Sequence, residues 1–96
     1  MSEVKGRVEG ALDSHRVVLY GLSTCGWCAD AKEFLTKQRV AFDFVNVDLL
    51  DRETLDSTVA ALKRWNPTMV FPLVVVDDAT AVVGFQPEKL TEALGL

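Results

Sequence analysis

Apolar runs alternate along this chain with amphipathic segments, and the two patterns predict strands and helices in turn. The run RVVLYGL, residues 16–22, is rich in β-branched residues, which is typical of a buried strand. The next segment has apolar residues at helical spacing and predicts a helix over residues 26–38, capped by Ser23 or Thr24. AFDFVNVDL, residues 41–49, alternates apolar and polar positions and predicts a second strand. Together these elements predict a right-handed βαβ unit.

The second half of the chain continues the alternation. Residues 51–66 carry an apolar stripe at helical spacing, two β-rich runs around residues 77–80 predict a hairpin, and residues 87–95 predict a last helix. The expected helix signals are Asp51 as a cap, Asn66-Pro67 as a stop, Pro87 at a first helical position and Gly95 as a C-cap. The predicted class is therefore α/β, with the order β-α-β-α-β-β-α.

Size and composition limit the number of domains and the classes of protein that this chain can represent. With 96 residues, 49% of them hydrophobic, we expect one small domain over residues 15–96, preceded by a polar and loosely ordered extension over residues 1–14. The net charge of −4 argues against nucleic-acid binding. Neither a membrane-spanning apolar run nor a secretory signal is recognisable, so we expect a cytoplasmic monomer.

The main candidate functional residues are the two cysteines, Cys25 and Cys28, in the segment STCGWCAD. Structural zinc needs four Cys or His ligands, and the chain adds a single His15 to this pair, so no metal site is predicted within one chain. Two chains could still pool four thiolates around zinc or an iron–sulfur cluster. In a reducing compartment, such a pair is typically catalytic or metal-binding rather than a permanent disulfide.

The redox interpretation follows from the position of the pair at a helix start. Unpaired backbone N–H groups and the helix dipole at that point favour a thiolate over a thiol at Cys25. Cys28 lies one turn further on and within reach. We therefore predict that Cys25 attacks a disulfide and that Cys28 resolves the mixed disulfide.

The segments VVLYGLSTCGWCADAKEFL, FDFVNVD, FPLVVV and VVGFQPEKL resemble the glutaredoxins over residues 16–96. The resemblance implies a thioredoxin fold, with a four-stranded mixed sheet flanked by three helices. It implies a thiol–disulfide oxidoreductase without a bound cofactor, which takes electrons from glutathione or from a reductase and reduces protein or small-molecule disulfides.

The resemblance also implies a substrate groove beside the cysteines. Phe71-Pro72 would be the cis-proline step of the family and Gly84 would bring its backbone close. The implied groove residues are Thr24, Trp27, Phe71, Pro72, Gly84 and Phe85. The corresponding alternatives are a trans edge proline, an ordinary strand-end glycine, and packing roles for Trp27 and Phe85.

Three departures from the family pattern concern glutathione. Leu22 stands where glutathione-using members usually carry a lysine or arginine, Gly84-Phe85 replaces their Gly-Gly-Asp region, and Gly26 replaces the usual proline between the cysteines. Glutathione would therefore be a poor reductant. The alternatives are a thioredoxin-like electron donor reduced by a flavin reductase, or a dimeric iron–sulfur or metal-binding module.

Overall fold

A computed structural model describes residues 4–96, in which three helices flank a five-stranded mixed sheet. The strands are β1 (Lys5–Val8), β2 (Val17–Gly21), β3 (Phe42–Asn46), β4 (Leu73–Val76) and β5 (Thr80–Val83). The helices are α1 (Gly26–Lys37), α2 (Arg52–Leu62) and α3 (Pro87–Leu94), and a 3-10 turn, Val47–Leu49, follows β3. The predicted α/β class and the order of elements from β2 onward are confirmed. Within these residues, no helix has the length and hydropathy needed to cross a bilayer.

The sheet has one strand more than expected. Its order is β1-β3-β2-β4-β5, with β2 and β3 parallel and every other neighbouring pair antiparallel. The additional strand, β1, pairs Lys5 with Val45 and Val8 with Phe42, so the expectation of a loosely ordered extension is wrong for residues 5–8. A free strand edge is a ready partner for an extended segment. The first three residues lie outside the described part, and a domain boundary at residue 15 stays a prediction.

Helices cover both faces of the sheet. On one face Leu35 of α1 and Leu90 of α3 pack in one core cluster with residues of β2, β3 and β4, including Phe42 of β3, and these three side chains are fully buried. On the other face Leu62 of α2 packs on Leu73 and Val75 of β4. Because β4 lies between two strands and under helices on both faces, all four of its residues are buried, which explains the continuous apolar run LVVV.

The helix ends follow the predicted signals except at the start of α1 and at the end of α2, which ends at Leu62, four residues before the predicted stop at Asn66-Pro67. The Asp51 carboxylate accepts a hydrogen bond from the Thr54 N–H at 2.8 Å, Pro87 is the first residue of α3, and Gly95 ends it with a left-handed φ of 69°. The cap of α1 is the Cys25 side chain, so the prediction of Ser23 or Thr24 is wrong.

Gly10 lies where the chain leaves β1 and crosses the start of β3. A Cβ atom there would lie 2.5 Å from the Arg39 carbonyl oxygen and 2.9 Å from the Ala41 nitrogen. Both are backbone atoms, and the Arg39 oxygen accepts a hydrogen bond from the Leu12 N–H. This packing requires glycine.

We expect Gly10→Ala to lower the free energy of unfolding by about 1–3 kcal/mol, because backbone must move to admit the methyl group. Urea denaturation measures the change. The matched control is Gly26→Ala, whose Cβ would meet nothing within 4 Å. Equal stabilities of the two variants would contradict the expectation.

Candidate active site

The two cysteines lie at the start of α1, directly after the carboxyl end of β2. Cys25 has extended backbone angles, φ −88° and ψ 117°, and its sulfur takes the N-cap position. The Cys28 N–H donates a hydrogen bond to Cys25 Sγ, with 3.1 Å between nitrogen and sulfur. An N–H donor and the positive end of a helix both favour negative charge at that sulfur. The geometry therefore suits a thiolate at Cys25.

The environments of the two thiols differ. Cys25 is partly exposed, whereas Cys28 is 1% exposed, and neither takes part in a disulfide. Burial raises the pKa of the Cys28 thiol to about 12, and its hydrogen bond with Cys25 acts in the same direction. Cys28 is thus held as a neutral thiol behind an accessible sulfur, and the two positions suit different chemical roles.

Gly21, the last residue of β2, allows this burial. A Cβ atom on Gly21 would lie 3.1 Å from both Cβ and Sγ of Cys28. A larger residue would push the second cysteine out of place. The sequence analysis placed Gly21 within the predicted strand of residues 16–22 and did not predict this contact, whose signal is a glycine seven residues before the second cysteine.

Asp48 holds the loop that leads into Cys25. Its carboxylate accepts hydrogen bonds from the Ser23 N–H at 2.8 Å and from Ser23 Oγ at 2.5 Å. These bonds lower the pKa of the Asp48 carboxyl, so it remains ionised at neutral pH. Ser23 therefore joins the nucleophile loop to the turn after β3, and no sequence motif indicated this link.

A groove opens beside the cysteine turn. It has a volume of about 260 Å³ and is lined by Trp27, Val70, Phe71, Gly84 and Phe85. The Trp27 side chain is 65% exposed, and its ring centroid lies 6.4 Å from that of Phe85. None of the lining residues is charged, so the groove suits an uncharged, extended segment.

The structure brings most of the predicted groove residues together. The Phe71–Pro72 peptide bond is cis, as predicted, and Pro72 is buried. Gly84 has a φ of 79°, and its N–H donates to the Pro72 carbonyl oxygen at 2.8 Å, which places the two segments side by side. Thr24 is exposed in the turn before Cys25 and does not line the groove. Val70 also lines the groove, and no sequence pattern predicted this position.

Two further observations concern glutathione and metal ions as ligands. Leu22 is half-buried three residues before Cys25, and its carbonyl oxygen accepts a hydrogen bond from the Cys25 N–H at 3.2 Å. Among residues 4–96, no group of three or more His, Cys, Asp or Glu side chains is arranged to hold a metal ion. His15, the remaining candidate ligand, instead contacts the Asp77 carboxylate through Nδ1 at 2.7 Å.

Known proteins resemble this chain in sequence and in fold. A family model described as Glutaredoxin matches residues 17–80. Glutaredoxin 1 of Rickettsia bellii is 31% identical over 67 residues, which cover 67% of this chain and 64% of that relative, so the match spans less than two thirds of the curated protein.

Solved structures extend the likeness to almost the whole chain. The crystal structure of a glutaredoxin from Methanosarcina mazei has a TM-score of 0.91 at 38% identity, covering 98% of this chain and 90% of the other. Methanoredoxin of Methanosarcina acetivorans has a TM-score of 0.89 at 40% identity, with coverages of 97% and 98%.

Proposed function

This chain belongs to the glutaredoxin family of thiol–disulfide oxidoreductases, and we propose that it reduces disulfides by a dithiol mechanism in which Cys25 attacks and Cys28 resolves. The observation that carries the proposal is the hydrogen bond from the Cys28 N–H to Cys25 Sγ at the start of α1. It supports a thiolate at the accessible sulfur, and thiolates are the nucleophiles of disulfide exchange.

The first step forms a mixed disulfide. The Cys25 thiolate attacks one sulfur of the substrate, the substrate S–S bond breaks, and its other sulfur leaves as a thiolate that takes up a proton. Cys25 is partly exposed at the helix start, whereas Cys28 is buried inside the first turn, so a substrate disulfide reaches Cys25 Sγ first. Cys28, buried as a thiol, does not compete for the substrate.

The second step completes the reduction. Cys28 loses its proton and attacks Cys25 Sγ, the mixed disulfide breaks, and the second substrate sulfur leaves as a thiol. Two electrons pass to the substrate, which becomes two thiols, and the protein retains a Cys25–Cys28 disulfide. Burial is the main cause of the raised Cys28 pKa, and the hydrogen bond and charge of Cys25 add to it. The Cys25 contributions are lost once Cys25 Sγ is part of a disulfide, so the Cys28 proton is easier to lose in this step.

The uncharged groove supports protein disulfides as the substrate class. Its five lining residues are apolar or glycine, and within residues 4–96 the backbone N–H and C=O of Phe71 have no hydrogen-bond partner. An extended peptide beside Cys25 could pair with these groups, as strands added to a sheet edge do. Glutathione carries two carboxylates, for which this groove offers no cation.

We expect glutathione to reduce the Cys25–Cys28 disulfide slowly, and Leu22→Arg to raise the rate constant by about 3- to 10-fold, because a guanidinium beside the site would bind a carboxylate. The measurement is the second-order rate constant for reduction by glutathione. Ala60→Arg on α2 adds the same charge away from the cysteines and should leave the rate unchanged. Saturation of the unaltered protein by micromolar glutathione would contradict the expectation.

The identity of the electron donor distinguishes two forms of this proposal: a protein reduced by glutathione and a thioredoxin-like donor reduced by a reductase. If a flavin-dependent thioredoxin reductase reduces the oxidised protein much faster than glutathione does, the chain is a thioredoxin-like donor, which the groove and Leu22 favour. A dimeric metal or cluster protein is the alternative from another class. A purified dimer that contains zinc, or that contains iron and absorbs visible light, would establish it.

A further inference from the structure

The buried side chain of Asn66 closes the loop that carries one wall of the groove. Asn66 follows α2, is 1% exposed, and makes two hydrogen bonds with the backbone of Val70. Its Nδ2 donates to the Val70 carbonyl oxygen at 2.5 Å, and its Oδ1 accepts from the Val70 N–H at 3.1 Å. The amide therefore takes the place that a neighbouring strand would have in a sheet.

The backbone of Asn66 is fixed as well. Its N–H donates to the Leu62 carbonyl oxygen at 2.9 Å, at the end of α2, and its carbonyl oxygen accepts from the Met69 N–H at 3.0 Å. Met69 has a left-handed φ of 52°, which turns the chain back toward Asn66. The loop over residues 66–70 is thus anchored to α2 by the backbone of Asn66, and its other end, Val70, is held by the Asn66 side chain.

This anchor lies next to the substrate wall. Val70 is 46% exposed and lines the groove together with Phe71, directly before the buried Pro72. Asn66 occupies both hydrogen-bonding groups of Val70, whereas those of Phe71 remain without a partner within residues 4–96. The side chain of Asn66 thus pairs the backbone of Val70 and leaves that of Phe71 unpaired in the groove wall.

We propose that Asn66 is a positioning residue for peptide substrates, which sets the distance between the Val70–Phe71 wall and Cys25. The proposal rests on the disulfide reductase function proposed above and concerns its substrate class. A substrate with a peptide chain beside its disulfide needs this wall in place. A small disulfide without a peptide chain reacts with Cys25 alone and does not use the wall.

The test compares two disulfides in a single turnover of the reduced protein. One is a dimer of a short uncharged peptide joined through its cysteine, and the other is hydroxyethyl disulfide. For Asn66→Ala we expect the rate constant for the peptide dimer to fall about 10-fold and that for hydroxyethyl disulfide to change less than about 2-fold, because two hydrogen bonds of the wall are lost. An equal change for both substrates would overturn the proposal.

A matched control separates positioning from stability. Val17 is buried at the opposite end of β2 from the cysteines, so Val17→Ala should weaken the fold without touching the groove. We expect its two rate constants to keep the ratio of the unaltered protein. If Val17→Ala changed the ratio as Asn66→Ala does, the effect would be one of stability and the proposal would fail.

Hydrogen exchange supplies a local readout. In Asn66→Ala the Val70 amide should exchange faster, while the Val74 amide in β4 reports the stability of the whole domain. If Asn66→Ala does not fold, Asn66→Ser gives the same comparison with a hydroxyl at the site. Failure of the unaltered protein to reduce either disulfide would refute the proposed function itself, and an unchanged substrate ratio would refute the role of Asn66 alone.

Discussion

Cys25→Ser is expected to lose disulfide reduction by at least about 1000-fold, because a serine hydroxyl at the helix N-cap is not ionised at neutral pH and is a poor nucleophile toward sulfur. The cap itself should survive, since a serine oxygen accepts a hydrogen bond from the N–H of residue 28 as the sulfur does. The measurement is the single-turnover rate constant for the peptide dimer, together with the urea midpoint as a check on folding.

Cys28 does not replace the lost nucleophile in that variant. It is 1% exposed, and burial raises its pKa to about 12, so very little thiolate is present and little of it meets the substrate. Reduction by Cys25→Ser at a rate close to that of the unaltered protein would show that Cys28 attacks first. That result would reverse the assignment of the two roles.

Cys28→Ser is expected to stop the reaction halfway. The hydrogen bond to Cys25 Sγ comes from the backbone N–H of residue 28, so the variant keeps the donor that stabilises the attacking thiolate. Attack on the peptide dimer should therefore proceed within about 3-fold of the normal rate, and the mixed disulfide should persist because no second sulfur can resolve it. Mass spectrometry should find one peptide bound per protein.

The released thiols give an independent count for this variant. The unaltered protein should release two peptide thiols for each molecule oxidised, and Cys28→Ser should release one. Two outcomes would mean that Cys28 is not the resolving residue. The variant would release two thiols, or its mixed disulfide would decay as fast as that of the unaltered protein. The double substitution of both cysteines should show neither reduction nor a bound peptide.

Most of the fold could be predicted from the sequence because its signals are local. The apolar runs and helical stripes predicted β2 to β5 and all three helices, and Asp51, Pro87 and Gly95 marked helix ends correctly. The cap of α1 was predicted wrongly because Ser and Thr are the usual caps, whereas here a sulfur accepts the bond. N-cap preferences favour Ser, Thr, Asp and Asn, so they do not identify a reactive cysteine sulfur as the cap.

Contacts between distant segments were not predictable in this way. Strand β1 is short, contains a glycine and has no apolar alternation, and it forms because β3, about forty residues later, offers it an edge. The link from Ser23 to Asp48 and the clamp of Asn66 on Val70 depend on the geometry of loops. The sequence predicted Asn66-Pro67 as the stop of the second helix, whereas α2 ends at Leu62, and that prediction gives no information about the Asn66 amide.

The strand over residues 5–8 has a consequence for how the protein behaves at high concentration. Without it, β3 would present the unpaired backbone of an aromatic segment, FDFVN, to any other unfolded or folded chain, and such edges promote aggregation. With it, the outermost edge carries the charged side chains of Lys5 and Arg7, and Arg7 forms ion pairs with Glu9 and Asp43. Charged side chains on an edge strand disfavour the addition of a further strand. These few polar residues thus serve as a guard against intermolecular strand addition.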